Sequence, residues 1–154
     1  MFRMKGEYLV NDRSKVMEVG SLVVNNMKKP VSYRDNDNSG VGLFAKNGQI
    51  WQQWDVVYAD EWASYGKGDL NTEFGLYVER DFQIVTQLRS NRYLTVINNR
   101  QMVIKTPNGS KSQIWYFDQN TLTIKTRINN QSWDIKSSGR TRDMQIWSTN
   151  GGWW

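Results

Sequence analysis

The chain has 154 residues, enough for one domain that buries a core without cross-links. It contains no Cys and no His, which excludes disulfides, thiol chemistry, Cys- or His-ligated metals and the usual general base. The net charge is +5, yet residues 1–82 carry ten Lys/Arg against twelve Asp/Glu, whereas residues 83–154 carry ten against three (Asp118, Asp134 and Asp143).

No apolar run approaches the roughly 20 residues of a membrane span, and Met1–Glu7 lacks the apolar core of a signal peptide. Eight Trp, seven Tyr and five Phe are spread along the chain. Asn recurs in pairs or beside Gly, at 25–26, 47–48, 98–99, 108–109, 129–130 and 150–151. Such pairs form turns because both residues tolerate positive φ. Frequent turns between aromatic and β-branched segments predict an all-β fold.

In chain order, Val16–Val19 reads as a strand, and Gln52-Gln53-Trp54 opens a Trp-bearing strand. Residues 55–81 read as an insertion: a long surface loop or lid with a short strand at Phe74–Val78. It carries Asp55, Asp60, Glu61, Asp69, Glu73 and Glu79 with Trp62 and Tyr65. Strands follow at Phe82–Leu88, Leu94–Val96, Met102 onward and Trp115. Another runs over Leu122–Ile128, where Leu122, Ile124, Thr126 and Ile128 alternate onto one face. Trp133–Ile135, Met144–Trp147 and a closing Trp-bearing strand at 153–154 complete the series.

These segments repeat. Phe82–Leu88 matches Leu122–Ile128 at an offset of forty, and Leu94-Thr95-Val96 matches Trp133-Asp134-Ile135 at thirty-nine. Met102–Gly109 matches Met144–Gly151 at forty-two. The first eighty residues hold a more divergent copy. The expected units are about 1–81, 82–120 and 121–154, all within one domain. Units of four strands cannot bury their apolar faces alone, but three closing around a pseudo-threefold axis can. This predicts a β-trefoil; a β-sandwich does not explain a triple block of four strands.

The repeated residues resemble the R-type, ricin B-like lectin domains. That family carries Gln-x-Trp in each unit, seen here as Gln52-Gln53-Trp54 and Gln113-Ile114-Trp115, with Gly152-Trp153-Trp154 as a departed third copy. Gln49-Ile50-Trp51 also fits the pattern. The family's Leu-Asp-Val resembles Met17-Glu18-Val19, Leu94-Thr95-Val96 and Trp133-Asp134-Ile135. The likeness spans the chain outside residues 55–81. Trp54, Trp115 and Trp154 are expected in the core.

The resemblance implies a sugar site made by the Asp of Leu-Asp-Val and an aromatic some thirteen to fifteen residues later. A carboxylate accepts strong hydrogen bonds from neighbouring hydroxyls, and an aromatic face covers the apolar face of a pyranose. The third unit has both, in Asp134 and Trp147, with Gln145 and Asn150 as further polar contacts. Gly151 and Gly152 stand where the family places an amide. The first unit offers a second candidate site in Glu18, Tyr33 and Asn47. The second unit, with Thr95 and Lys105 in those places, offers none.

A non-catalytic module binding galactose- or N-acetylgalactosamine-type glycans is therefore expected, with no metal and no cofactor. The competing class is a trefoil scaffold that contacts a protein through residues 55–81. Nucleic-acid binding by the basic half is disfavoured, because its Lys and Arg form no run. Catalysis is disfavoured too, since Asp60-Glu61 is the only adjacent acid pair. Location leans intracellular on the missing signal and Cys, while the lectin resemblance leans outward, where Asn108-Gly109-Ser110 and Asn130-Gln131-Ser132 would be glycosylation sequons. A chain stopping at Trp153-Trp154 suggests a cut domain, or part of a larger chain or oligomer.

Overall fold

In the computed structural model, residues 2–20, 34–58, 70–71, 73–78, 80–135 and 143–148 are described. The first unit contains β2 (Tyr8–Val10), β3 (Lys15–Val19), β4 (Ser39–Ala45) and β5 (Trp54–Tyr58). The second contains β8 (Phe82–Thr86), β9 (Tyr93–Ile97), β10 (Gln101–Lys105) and β11 (Trp115–Asp118). The third contains β12 (Thr123–Thr126), β13 (Ser132–Ile135) and β14 (Met144–Trp147). β1 (Arg3–Lys5) precedes them, and the short pair β6 (Leu70–Asn71) and β7 (Leu76–Tyr77) lies between the first two units.

Antiparallel pairs β1–β2, β5–β8 and β11–β12 build the barrel, with β8 also pairing β11. Hairpins β3–β4, β9–β10 and β13–β14 cap one end. β10 pairs both β4 and β14, and a Gly42–Asp143 bridge joins the other two hairpins. The barrel with its triangular cap of hairpins is a β-trefoil.

Turn chemistry sets these registers. Asn98 and Asn99 both adopt positive φ at the centre of the turn between β9 and β10, where Arg100 N donates to Ile97 O at 3.0 Å. Trp54 and Trp115 are fully buried, as the repeat predicts. Each indole Nε1 donates to a backbone carbonyl of its own unit, Trp54 to Met17 O at 2.9 Å and Trp115 to Leu94 O at 3.1 Å.

The expectation for Trp154 lies outside the described residues; by register, Phe2 takes a position matching Trp54 and Trp115. Arg3 pairs Val10, which sets Phe2 opposite Asn11, just as Trp54 pairs Thr86 and Trp115 pairs Thr126. The ring of Phe2 meets Trp133 edge-on at 5.1 Å, so the N-terminal strand closes the third unit.

The insertion is not merely a surface loop. Residues 55–58 continue β5, while 59–69 lie outside the described residues. Phe74 and Leu76 are buried in the core. Met4 N donates to Phe74 O at 2.8 Å, Val78 bridges Phe117, and the Phe74 and Phe117 rings lie 5.2 Å apart. This segment fills the barrel end because its aromatic and aliphatic side chains bury more apolar surface there than a polar loop could.

The predicted alternation over Leu122–Ile128 holds only at its centre. Ile124 and Thr126 are buried, but Leu122 sits in a turn at φ 56° and Ile128 is exposed beyond the strand end.

Candidate functional site

The three capping hairpins can be superposed by register. Glu18 pairs Gly42, Thr95 pairs Val103 and Asp134 pairs Gln145. Two residues along, Val16 pairs Phe44, Tyr93 pairs Lys105 and Ser132 pairs Trp147. Thus Glu18, Thr95 and Asp134 are equivalent, and so are Phe44, Lys105 and Trp147.

In the third unit the structure brings Asp134, Gln145 and Trp147 onto one face of the β13–β14 hairpin. Cross-strand partners point to the same side, and diagonal neighbours lie within reach of long side chains. Gln145 Nε2 donates to Asp134 Oδ2 at 2.9 Å, leaving Asp134 Oδ1 and the Gln145 carbonyl oxygen as additional acceptors. Trp147 is 39% exposed. The Arg100 guanidinium lies 3.7 Å from the centre of its ring. Asn150 lies outside the described residues.

The first unit is arranged differently. Glu18 is only 3% exposed. Gln52, fully buried, donates through Nε2 to Glu18 Oε1 and to Ala45 O, both at 2.9 Å. Arg34 is buried beside them. Its Nε donates to Val19 O at 3.1 Å, and its guanidinium stacks on Trp51 at 4.2 Å. Burial lowers the Arg34 pKa, while the Glu18 charge works the other way. Gly20, at φ 69°, lets Arg34 lie this close, since a Cβ there would come within 2.6 Å of Arg34 Cγ.

Asn47 serves the turn. Its backbone N–H donates to Gln52 Oε1 at 2.8 Å, and its side-chain oxygen accepts from Gln49 N at 3.0 Å. Tyr33 lies outside the described residues. The aromatic equivalent to Trp147 is Phe44, 40% exposed, which the sequence reading missed. The spacing of Phe44 from the Asn47-Gly48 turn, three residues, matches that of Trp147 from Asn150-Gly151 and could have revealed it.

The second unit repeats the Gln52 arrangement with a neutral partner. Gln113 Nε2 donates to Thr95 Oγ1 at 3.1 Å and to Thr106 O at 3.0 Å, while Asn108 N donates to Gln113 Oε1 at 2.9 Å. The Gln of Gln-x-Trp is thus a buried clamp in both units. Lys105 stands opposite Tyr93, as the alignment with Trp147 predicts. Among the described residues no group of three acids could hold a metal, and no helix is long and apolar enough to cross a membrane.

No protein-family profile matches the chain, and no curated protein matches it. Solved structures do share its fold. The designed threefold-symmetric protein ThreeFoil superposes with a TM-score of 0.62 at 19% identity, over 95% of this chain and 91% of that one. The exo-β-1,3-galactanase 1,3Gal43A from Clostridium thermocellum gives 0.61 at 21% identity, over 97% of this chain but 29% of the enzyme. The β-trefoil lectin of the Vibrio vulnificus hemolysin/cytolysin, solved with N-acetyl-D-lactosamine bound, gives 0.53 at 18% identity, over 96% and 88%. These likenesses establish the β-trefoil class.

Proposed function

We propose that the chain is a non-catalytic carbohydrate-binding module of the R-type lectin kind, with its principal site in the third unit. The observation that carries this reading is the Asp134–Gln145 hydrogen bond beside an exposed Trp147. A pyranose laid on the indole buries its C–H face there, while adjacent hydroxyls donate to Asp134 and exchange hydrogen bonds with Gln145. The Gln145 N–H holds the carboxylate in one orientation before ligand arrives, which lowers the ordering cost of binding.

Galactose- and N-acetylgalactosamine-type glycans are the proposed ligands. Support comes from the sequence resemblance and from the lactosamine-bound trefoil that shares this fold. A single shallow site buries few atoms, so affinity should be weak, with Kd roughly 0.1–1 mM, and avidity would come from multivalent display. Nuclear magnetic resonance titration with methyl β-galactoside tests the proposal. Shifts confined to Asp134, Gln145 and Trp147 support it; their absence at 10 mM sugar, about ten times the weakest expected Kd, refutes it.

A scaffold or protein-interaction role is the second reading. The specific observation favouring it is that Glu18 is buried and bonded to Gln52, which leaves the third unit alone with an open carboxylate and aromatic pair.

A further inference from the structure

The indole of Trp147 lies between two chemically opposite flanks. β14 runs between β13 and β10, and Gln101, Gln145 and Asp134 form one cross-strand row over the three strands. Asp134 comes from one side. Arg100, in the turn before β10, comes from the other, with Ile146 N donating to its carbonyl at 2.8 Å.

Arg100 differs from Arg127, another arginine stacked on an aromatic ring. Arg127 lies over Tyr116 at 3.7 Å, but its Nε is bonded to Asp81 at 2.6 Å. Arg92 is likewise paired, with Asp35 and Asp37. Arg100 stacks on Trp147 at the same 3.7 Å, is exposed, and has no carboxylate partner among the described residues. A planar guanidinium held by its face on an aromatic ring keeps its N–H edge free, and that edge matches a carboxylate or sulfate in bidentate geometry.

We infer that Arg100 makes the third-unit site selective for acidic saccharides. The sugar ring takes the face of Trp147 that Arg100 leaves uncovered, its hydroxyls face Asp134 and Gln145, and its carboxylate or sulfate pairs past the indole edge with the Arg100 guanidinium. This orientation keeps the ligand's negative charge away from Asp134. Gln101, exposed at the end of the cross-strand row, adds an amide within the same subsite. The inference rests on the carbohydrate-binding reading of this site.

The test compares methyl β-galactoside, the methyl glycoside of galacturonic acid and galactose 6-sulfate at fixed ionic strength. Each is titrated against the wild type, Arg100→Ala, Arg100→Gln and Trp147→Ala. At least one acidic sugar should bind the wild type about tenfold more tightly than the neutral one. That ratio should fall to about one in both Arg100 variants, and Trp147→Ala should weaken all three ligands. The two acidic arms tell a carboxylate preference from a sulfate preference.

Trp147-dependent binding with no acidic preference overturns this inference and leaves the site reading standing. Acidic preference that survives both Arg100 variants, or acidic binding that survives Trp147→Ala, also overturns it. Failure of all three sugars to bind the wild type removes the site reading and the inference with it.

Discussion

Gln52 and Glu18 meet inside the first unit, with Nε2 donating to the carboxylate at 2.9 Å. The same amide oxygen accepts the Asn47 N–H, so one side chain ties the hairpin, the turn and the Trp54 strand together. Replacing Gln52 by Met keeps the volume but leaves a buried carboxylate short of a donor. The expected loss is about 2 kcal/mol, read from urea unfolding. A loss below about 0.5 kcal/mol would contradict the clamp assignment.

The equivalence of Phe2 with Trp54 and Trp115 makes a second prediction. Trp115→Ala should cost about 3–5 kcal/mol and Phe2→Ala about 3 kcal/mol, because each removes a large ring from a packed centre. A Phe2→Ala cost as small as that of a frayed terminus, under about 1 kcal/mol, would show that the N-terminal strand does not close the barrel.

Gly75 tests the role of the insertion. It adopts φ 66°, and a Cβ there would lie 2.5 Å from Met4 O. Gly75→Ala should destabilise by roughly 1–3 kcal/mol through backbone strain and the forced retreat of β1. Thermal melts read this directly, and an unchanged melting temperature would show that the 74–78 segment does not pack against β1 as described.

Much of this was legible in the residues. Periodicity and Gln-x-Trp predicted the three-unit barrel, the burial of Trp54 and Trp115 and the Lys105–Trp147 equivalence, because strands repeat with their register. Asp134 and Gln145 belong to one candidate site in the sequence, and the register makes them hydrogen-bonded partners. Phe2 was not legible, since the strand that sets it against Trp133 comes from the far end of the sequence. Arg100 escaped for a similar reason: it reaches Trp147 from the neighbouring unit. The burial of Glu18 depends on Gln52 across thirty-four positions. Its signal was present in the repeated Asn-Gly turn five residues before each buried Gln, at Asn47 and Asn108.

Acid stability follows from paired carboxylates. Asp37 is held below its usual 3.8, first by the Arg92 hydrogen bond and then by the Thr106 N–H, at 2.8 and 2.9 Å. For Asp118, burial alone would raise the pKa, but the Lys125 ammonium at 2.6 Å and the Asn120 N–H bring it below 3.8. A lowered folded value means that this stabilisation is complete above the unfolded pKa and is lost as pH falls through the folded one. Melting temperature should therefore decline below about pH 4. The Asp37→Asn/Asp118→Asn variant should show a shallower decline between about pH 4 and 2. An identical acid limb in the two proteins would contradict the pairing.

The third-unit site can be tested most directly by calorimetric titration of a galactoside into the wild type, Trp147→Ala and Asp134→Asn, with folding of each checked by circular dichroism. The predicted result is a wild-type Kd of roughly 0.1–1 mM that weakens at least tenfold in both folded variants. Equal affinity in all three would contradict the assignment of this face to sugar recognition.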